Sequence, residues 1–163
     1  MSTSEEIAQQ LNEHNKAEYP PMHTAEHLLN QTMGRMFGCE RSRNAHIERK
    51  KSKISFILSQ EPDEATVQQI VDRMNELIKA DLPVTYEFVR ANELPEGVAT
   101  DRLPEGASEL LRLVRIGNYD QCLCIGSHVE RTSELGEFIL LGTNWDAEKH
   151  SFRVRFKLGV KAN

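Results

Sequence analysis

Two pairs of side chains in this sequence have the spacing of metal ligands. His23 and His27 are four residues apart in a segment with helical periodicity, so both imidazoles project from one face and can reach a common ion. Cys124 and His128 repeat that separation around Gly126, which lets the backbone wrap closely around a centre. Together the pairs predict a His3Cys site. The alternatives are a polar helix face for the first pair, and an inert buried thiol with a hydrogen-bonded histidine for the second.

The donor types indicate which metal such a site would hold. Nitrogen and sulfur ligands favour Zn(II) over Mg(II) or Ca(II), which prefer oxygen, while Fe, Co and Ni also accept these donors. Four protein ligands are typical of a closed structural zinc, whereas a catalytic zinc keeps one position for water. We therefore expect zinc, with one ligand distant or displaceable if the site is catalytic.

A helix must carry the first pair. Apolar residues at helical spacing, among them Leu28, Leu29 and Met33, predict a helix that begins at Met22 and ends at Gly38. A second helix is predicted after Pro62 and Asp63. Its core face is regular and comprises Val67, Ile70, Val71, Met74, Leu77 and Ile78.

Alternating apolar residues predict strands between the helices and after them. They cover residues 53–58, 84–88, 111–116, 138–141 and 152–158. This order predicts an α+β fold of one domain, with an antiparallel-rich sheet packed against helices. Residues 1–21 are expected to form an N-terminal arm, and residues 22–163 the metal-binding domain.

Composition limits the class of protein. The 163 residues are 39% hydrophobic and 28% charged, which suits one globular domain with a continuous core. No stretch approaches the roughly 18 to 20 apolar residues of a membrane span, and no basic apolar leader is visible, so we expect a soluble cytoplasmic protein. Three cysteines are too few for a disulfide framework. A net charge of -5 argues against non-specific nucleic-acid binding, so an RNA partner would need local basic patches.

The segments around both pairs resemble a known family. The run HTAEHLL from His23 and the run CIGSHV from Cys124 are similar to the paired HxxxH and CxxxH motifs of the alanyl-tRNA synthetase editing domain. The run RIG from Arg115 precedes the second motif, and TSELGEF from Thr132 follows it, as in that family. The resemblance covers residues 22 to 141 and extends to the threonyl-tRNA synthetase editing domain.

The resemblance implies a fold and a function. The fold would be that of a synthetase editing domain, and His23, His27, Cys124 and His128 would hold the metal. The chain resembles stand-alone alanyl-tRNA editing proteins, the AlaX group, because no synthetase or anticodon-binding unit is visible. It would hydrolyse mischarged tRNA in trans, with Ser-tRNA(Ala) or Gly-tRNA(Ala) as substrate, or Ser-tRNA(Thr) in a threonyl-type enzyme. The metal would polarise the ester, activate water or anchor the substrate.

The sequence departs from the family in three places. Between Cys124 and His128 the family often has two glycines and a threonine, where this chain has Ile125, Gly126 and Ser127. Residues 42 to 46, Ser-Arg-Asn-Ala-His, stand where alanyl-type domains tend to have small polar residues. The C-terminal segment lacks the usual glycine and double arginine.

Polar and basic residues near the motifs are further candidates. Thr24, Asn44 and His46 could recognise a substrate hydroxyl or place water, with helix capping or a solvated loop as the alternative. Two groups of cations could contact the phosphates of an acceptor stem, with an ordinary solvated surface as the alternative. The first group is Arg41, Arg43, Arg49, Lys50, Lys51 and Lys53, and the second is Arg153, Arg155 and Lys157.

Two other functions fit parts of the pattern. The first motif also matches H-x-x-E-H of an inverted zinc protease, with Glu26 as general base, although the second Cys/His pair is foreign to such enzymes. A non-catalytic, zinc-stabilised RNA-binding or adaptor domain would account for four ligands. Loss of the fold on metal removal would favour that adaptor.

Overall fold

The computed structural model describes residues 19–90, 93–95, 98 and 110–160. Most of the predicted N-terminal arm lies outside the described residues, so its separation from the rest of the chain stays a prediction.

The first helix, α1, spans Pro20–Phe37 and begins two residues earlier than predicted. Both prolines fit its first turn, where backbone N–H groups have no acceptor within the helix. The predicted end is confirmed, because Gly38 adopts the left-handed conformation with φ 68° and its N–H donates to Gly34 O at 2.8 Å. Leu28, Leu29 and Met33 are fully buried.

The second helix, α2, spans Glu64–Lys79. Asp63 caps it by accepting a hydrogen bond from the Thr66 N–H at 2.8 Å. Four residues of the predicted core face are buried, namely Ile70, Met74, Leu77 and Ile78. Within the described residues, neither helix has both the length and the apolar character needed to cross a bilayer.

Seven strands form two antiparallel sheets in the described part of the chain. One sheet has the order β1-β2-β7-β6 and the other the order β3-β4-β5. The strands are β1 Asn44–Ile47, β2 Ser52–Ile57, β3 Val84–Arg90, β4 Leu110–Ile116, β5 Asp120–Leu123, β6 Phe138–Asp146 and β7 Ser151–Leu158. The α+β class is confirmed, and the division into two sheets is a finding of the structure.

The four-stranded sheet supplies much of the core. Ile54 and Phe56 of β2 lie on the same face as Phe152, Val154 and Phe156 of β7, and all five are buried. The helices cover this face: α1 packs against β1 and β2, and α2 packs against β6. Alternate residues of β7 therefore point away from the helices, as the sequence predicts.

The three-stranded sheet contacts α1 through β5. Residues 124–131 lead from β5 to a 3-10 helix, Thr132–Leu135. The buried Thr132 hydroxyl donates to Leu77 O and accepts from the Leu82 N–H, both at 2.8 Å. These bonds fix the far end of the segment that carries Cys124 and His128.

Candidate metal centre

The four predicted ligands converge between α1 and the segment that follows β5. Their ligand atoms all lie within 4.8 Å of one another. Cys124 Sγ is 3.4 Å from His23 Nε2, and the His23 ring stacks on that of His128 with centroids 4.3 Å apart. The His27 centroid lies 5.0 Å from that of His23 and 4.8 Å from that of His128. One helix face and one loop thus bring together residues about a hundred positions apart.

Each of the three imidazoles is oriented by a partner at its Nδ1 atom. The partners are Ser127 O at 3.1 Å for His23 and the Tyr86 hydroxyl at 3.3 Å for His128. His27 Nδ1 lies 3.3 Å from Arg41 Nη2 and 3.6 Å from Asp120 Oδ2, with which it forms an ion pair. Histidines that bind metals usually engage the other ring nitrogen in this way, which fixes the tautomer and the orientation of the ring. The arrangement leaves the Nε2 atoms for the centre.

A zinc ion fits these residues. His128 Nε2 is buried without a hydrogen-bond partner, and a buried polar atom of that kind is costly unless something binds it. Its neighbours are two imidazoles and a thiol, the donors that zinc prefers. The unpaired nitrogen and the donor set therefore both point to a metal at this position.

The cluster favours the protonation states that a metal requires at Cys124 and His128. Burial alone would raise the pKa of Cys124, but the adjacent imidazoles of His128, His23 and His27 outweigh it and lower the pKa to about 2. Burial and the neighbouring charge of His27 lower the pKa of His128 to about 4, against the opposing effect of Cys124. Both shifts favour a thiolate at Cys124 and a neutral imidazole at His128, the forms that bind metals.

Asp120 and Arg41 form a charged pair behind His27. The Arg41 guanidinium holds the carboxylate through two contacts, Nη1 to Oδ1 at 2.9 Å and Nη2 to Oδ2 at 3.3 Å. Burial opposes ionisation of Asp120, but His27 and Arg41 lower its pKa overall. Burial also opposes the charged form of His27, yet Asp120, Cys122 and Cys124 raise the pKa of His27 well above its usual value. Arg41 therefore helps to orient the ligand set, and its role in RNA binding stays a prediction.

Arg112 holds in place residues 124–131, which carry Cys124 and His128 and which we call the ligand loop. Its Nε donates to Cys124 O at 2.8 Å, and its Nη2 donates to Gly126 O. The same guanidinium lies 4.5 Å above the centre of the Tyr86 ring. A cation on β4 thus fixes both the loop backbone and the phenol that orients His128.

Of the three predicted catalytic residues, Thr24 lies closest in sequence to the ligands, but its hydroxyl is engaged elsewhere. It is fully buried, donates to Pro20 O at 2.8 Å and accepts from the Val129 N–H at 3.1 Å. These contacts tie α1 to the ligand loop. They favour a positioning role over contact with a substrate.

Asn44 and His46 lie on β1, at the edge of the four-stranded sheet, and both are exposed. The Asn44 N–H donates to Ser42 Oγ at 3.1 Å. His46 Nε2 pairs with Glu48 Oε1 at 2.7 Å. The structure does not place either residue in the four-residue cluster, and their catalytic roles stay predictions.

One residue of the first predicted basic group, Lys53, joins the second group on one surface. Lys53 of β2 lies directly opposite Arg155 of β7, and Arg153 and Lys157 follow on the same outward face. We call these four residues the basic face. Arg155 lies over Gly142, where an added Cβ would sit 2.3 Å from its Nη2. Of the remaining cations, Arg49 stacks on the Tyr19 ring at 4.5 Å, and Arg43, Lys50 and Lys51 are exposed.

Sequence inspection missed Asp120, Tyr86 and Arg112. One signal for Asp120 was present, since it alternates with Cys122 and Cys124 and so shares their strand face. Tyr86 and Arg112 gave no such signal. Their contacts with the ligands depend on the pairing of β3 with β4, which local spacing does not reveal.

Comparisons with known proteins match this geometry to a family. Residues 111–153 match the model of the threonyl and alanyl tRNA synthetase second additional domain. The alanine–tRNA ligase of Treponema denticola is 31% identical over 119 residues, which are 72% of this chain and 20% of that protein. The ligase of Shouchella clausii is 29% identical over 141 residues, 85% of this chain and 16% of that protein.

The matched region includes the second ligand pair and the strands on both sides of it. The chain spans a fifth or less of the length of these ligases, 20% in one and 16% in the other. The helix, the ligand loop and the antiparallel sheets agree with such a domain. Residues 111–153 therefore match a domain of the threonyl- and alanyl-tRNA synthetases, and most of the chain is related to part of the alanyl-tRNA synthetases, which supports an editing domain.

Proposed function

We propose that this chain is a zinc-dependent deacylase that acts in trans on mischarged tRNA, with Ser-tRNA(Ala) or Gly-tRNA(Ala) as substrate. The observation that carries the proposal is the convergence of His23, His27, Cys124 and His128 within 4.8 Å. The outer partner at each Nδ1 adds support for a metal, because histidines that only packed or hydrogen-bonded within the fold would not need to present Nε2 to one point.

The residues of the cluster can hold a metal, and the surrounding residues can keep it in a fixed geometry. When bound, zinc supplies positive charge that polarises an ester carbonyl or lowers the pKa of water. Asp120 and Ser127 O hold the two helix imidazoles, and Tyr86 holds the third. Arg112 limits movement of the loop by binding its carbonyls. Such preorganisation lowers the cost of orienting a labile ester.

Preference for a serine ester over an alanine ester has a physical basis. A site that hydrogen-bonds the serine hydroxyl leaves its polar groups unpaired when alanine enters, and that penalty discriminates strongly. Glycine would have to be admitted by size. Asn44 and His46 remain candidates for contacts with the aminoacyl group or water.

The basic face supports binding of the RNA backbone. Lys53, Arg153, Arg155 and Lys157 concentrate positive charge on one sheet surface of a chain whose net charge is -5. Phosphate contacts of this kind add affinity without sequence preference. The basic face lies on the side of the four-stranded sheet away from the helices, so substitutions there and at the cluster test separate contributions.

The decisive experiment measures ester loss from four charged tRNAs. Purified protein is incubated with Ser-tRNA(Ala), Gly-tRNA(Ala), Ala-tRNA(Ala) and Ser-tRNA(Thr), with and without a chelator, and bound zinc is measured in parallel. We expect loss of a mischarged species, sparing of Ala-tRNA(Ala), and abolition of activity by chelation or by Cys124→Ala. Cys39→Ala is the matched control, since this thiol lies outside the cluster.

Other outcomes separate the alternatives. Activity on Ser-tRNA(Thr) alone would indicate threonyl-type editing. Spontaneous rates on all four substrates would contradict the proposal, and unfolding on chelation would then favour the zinc-stabilised adaptor, for which the four-ligand count is the supporting observation.

A further inference from the structure

Two exposed aromatic side chains lie beside the metal centre on β3. Val84, Tyr86 and Phe88 alternate on one face of the three-stranded sheet, and their exposure rises along the strand from 8% to 44% to 58%. The face thus runs from the core, past the cluster, to the surface. We call Tyr86 and Phe88 the aromatic shelf.

The shelf is continuous with the metal centre. The Tyr86 hydroxyl lies 3.3 Å from His128 Nδ1, and the two ring centroids are 5.9 Å apart. Residues two apart on a strand are separated by roughly 7 Å, so the backbone of Phe88 lies about that much farther along the strand than that of Tyr86. A group anchored at the cluster would therefore extend past Tyr86 towards Phe88.

Positive charge borders the same surface. Arg112 is the cross-strand partner of Phe88, and its guanidinium lies over the Tyr86 ring. An exposed aromatic ring flanked by a guanidinium is typical of surfaces that stack nucleic-acid bases and bind the adjoining phosphate. The other strongly exposed hydrophobic residues of the described chain, Ile57, Leu110 and Leu141, are aliphatic.

We propose that Phe88 stacks on the terminal base of the RNA whose ester is presented to the metal centre. This inference rests on the proposed function, because the esterified ribose and its base are joined by a single bond. With the ester at the cluster, the base has to occupy a neighbouring surface. The aromatic shelf is continuous with the cluster, and at its outer end the exposed Phe88 ring is available for stacking.

A fluorescent base tests the stacking without any hydrolysis. An uncharged RNA stem with a single-stranded 3′ end carries 2-aminopurine as its terminal base, and the zinc-loaded full-length chain is added. Stacking on an aromatic ring quenches this fluorophore. We expect quenching by the wild type and by Phe88→Tyr, and its loss in Phe88→Leu, which keeps apolar bulk but has no ring. The dissociation constant should rise roughly tenfold in Phe88→Leu.

Two controls locate the effect. Ile57→Ala removes an apolar side chain of similar exposure, 67% against 58% for Phe88, from the other sheet and should leave quenching unchanged. Moving 2-aminopurine into the loop of the stem should abolish quenching by every variant. Equal quenching by wild type and Phe88→Leu, or none by either, would overturn the inference.

Two more readouts separate the outcomes. Deacylation by the wild type tests the proposed function, and in Phe88→Leu we expect a higher KM with kcat largely retained. An active wild type with an unchanged Phe88→Leu would overturn the stacking inference alone. A change in sedimentation of Phe88→Leu without a change in quenching would assign Phe88 to a protein contact and would also overturn it.

Discussion

The two sheets differ in what they present to the interior. The four-stranded sheet faces the helices with apolar side chains such as Phe56, Phe152 and Phe156. The corresponding face of the three-stranded sheet carries Asp120, Tyr86 and polar groups around the ligands. The first inner face contributes mainly hydrophobic packing. The second adds Val114 and Ile116 to the core and also carries the groups that orient the ligands.

The difference shows how one small fold separates stability from function. An apolar core loses stability when buried volume is removed, but it does not depend on the charge of its side chains. Buried polar groups need partners, so each group at the centre depends on another, as His27 depends on Asp120 and Asp120 on Arg41. Substitutions of apolar residues in the first face should therefore lower mainly the free energy of unfolding. Substitutions of the orienting groups in the second face should lower mainly the affinity for zinc.

Phe156→Ala should give the largest loss of stability. The side chain is fully buried and stacks on Phe138 with centroids 4.9 Å apart, so truncation leaves a cavity. We expect the free energy of unfolding to fall by about 3–5 kcal/mol, as measured by denaturant titration. Zinc bound per folded molecule should not change. A fall no larger than that of the exposed control Ile57→Ala would contradict the assignment of this face to the core.

Asp120→Asn should lose less stability but much more metal affinity. The change keeps the shape of the side chain and removes the charge that Arg41 and His27 face. Because the Arg41 side chain is 26% exposed, we expect the free energy of unfolding to fall by about 2 kcal/mol, which is less than for the loss of one partner of a fully buried ion pair. Zinc affinity, measured by competition with a chelator, should fall about 10- to 100-fold.

The matched control for that variant is Asp72→Asn on the exposed surface of α2. Equal zinc affinity in the two variants would show that Asp120 does not orient His27. A larger stability loss than in Phe156→Ala would reverse the proposed division between the sheets.

Asp81→Asn should have a smaller, pH-dependent effect outside both inner faces. Asp81 has a positive φ of 53°, which asparagine tolerates, and it binds the Ser133 hydroxyl and Arg131. Those two contacts lower its pKa from 3.8. A lowered pKa in the folded state stabilises the protein above pH 3.8, and that contribution is lost as the pH falls through the lowered value.

The measurement is thermal unfolding of wild type and Asp81→Asn from pH 7 towards pH 3. The wild type should be slightly more stable at neutral pH, and the difference should shrink on acidification. A difference that stays constant, or grows, would mean that the Asp81 charge does not contribute.

The basic face should show no stability effect. In the double variant Arg153→Gln and Arg155→Gln we expect the free energy of unfolding to stay within about 0.5 kcal/mol. RNA affinity should fall, and the slope of log affinity against log salt should become shallower by about 2. The control is Arg73→Gln with Lys79→Gln, which removes two exposed charges from α2. An unchanged slope would show that Arg153 and Arg155 do not contact the RNA phosphates.

Local patterns predicted much of the fold. The two helices follow from periodicity and from caps such as Asp63 and Gly38, whose effects lie within one turn. Long alternating strands such as β7 were also predictable. The short strands β1 and β5 were missed: each has four residues, and β1 lacks the buried alternation that marks a strand.

Candidate site residues were predictable to the extent that their evidence was local. The ligand pairs could be identified from their separation of four residues, whereas the catalytic candidates were predicted from residue type alone. Thr24 illustrates the limit, since its hydroxyl bridges α1 to Val129 in a contact between distant segments. The sequence alone cannot distinguish a threonine hydroxyl that bonds to the backbone from one that contacts a substrate.

By itself the sequence determined the ligand types, the helix that carries two of them and the apolar alternation of the core strands, because these depend on spacing within one element. Only the tertiary structure decided that the pairs meet, that Asp120, Tyr86 and Ser127 orient the imidazoles, and that Lys53 adjoins Arg155. Those relations depend on strand register and on packing between segments far apart in the chain. No local pattern encodes a distance across the fold.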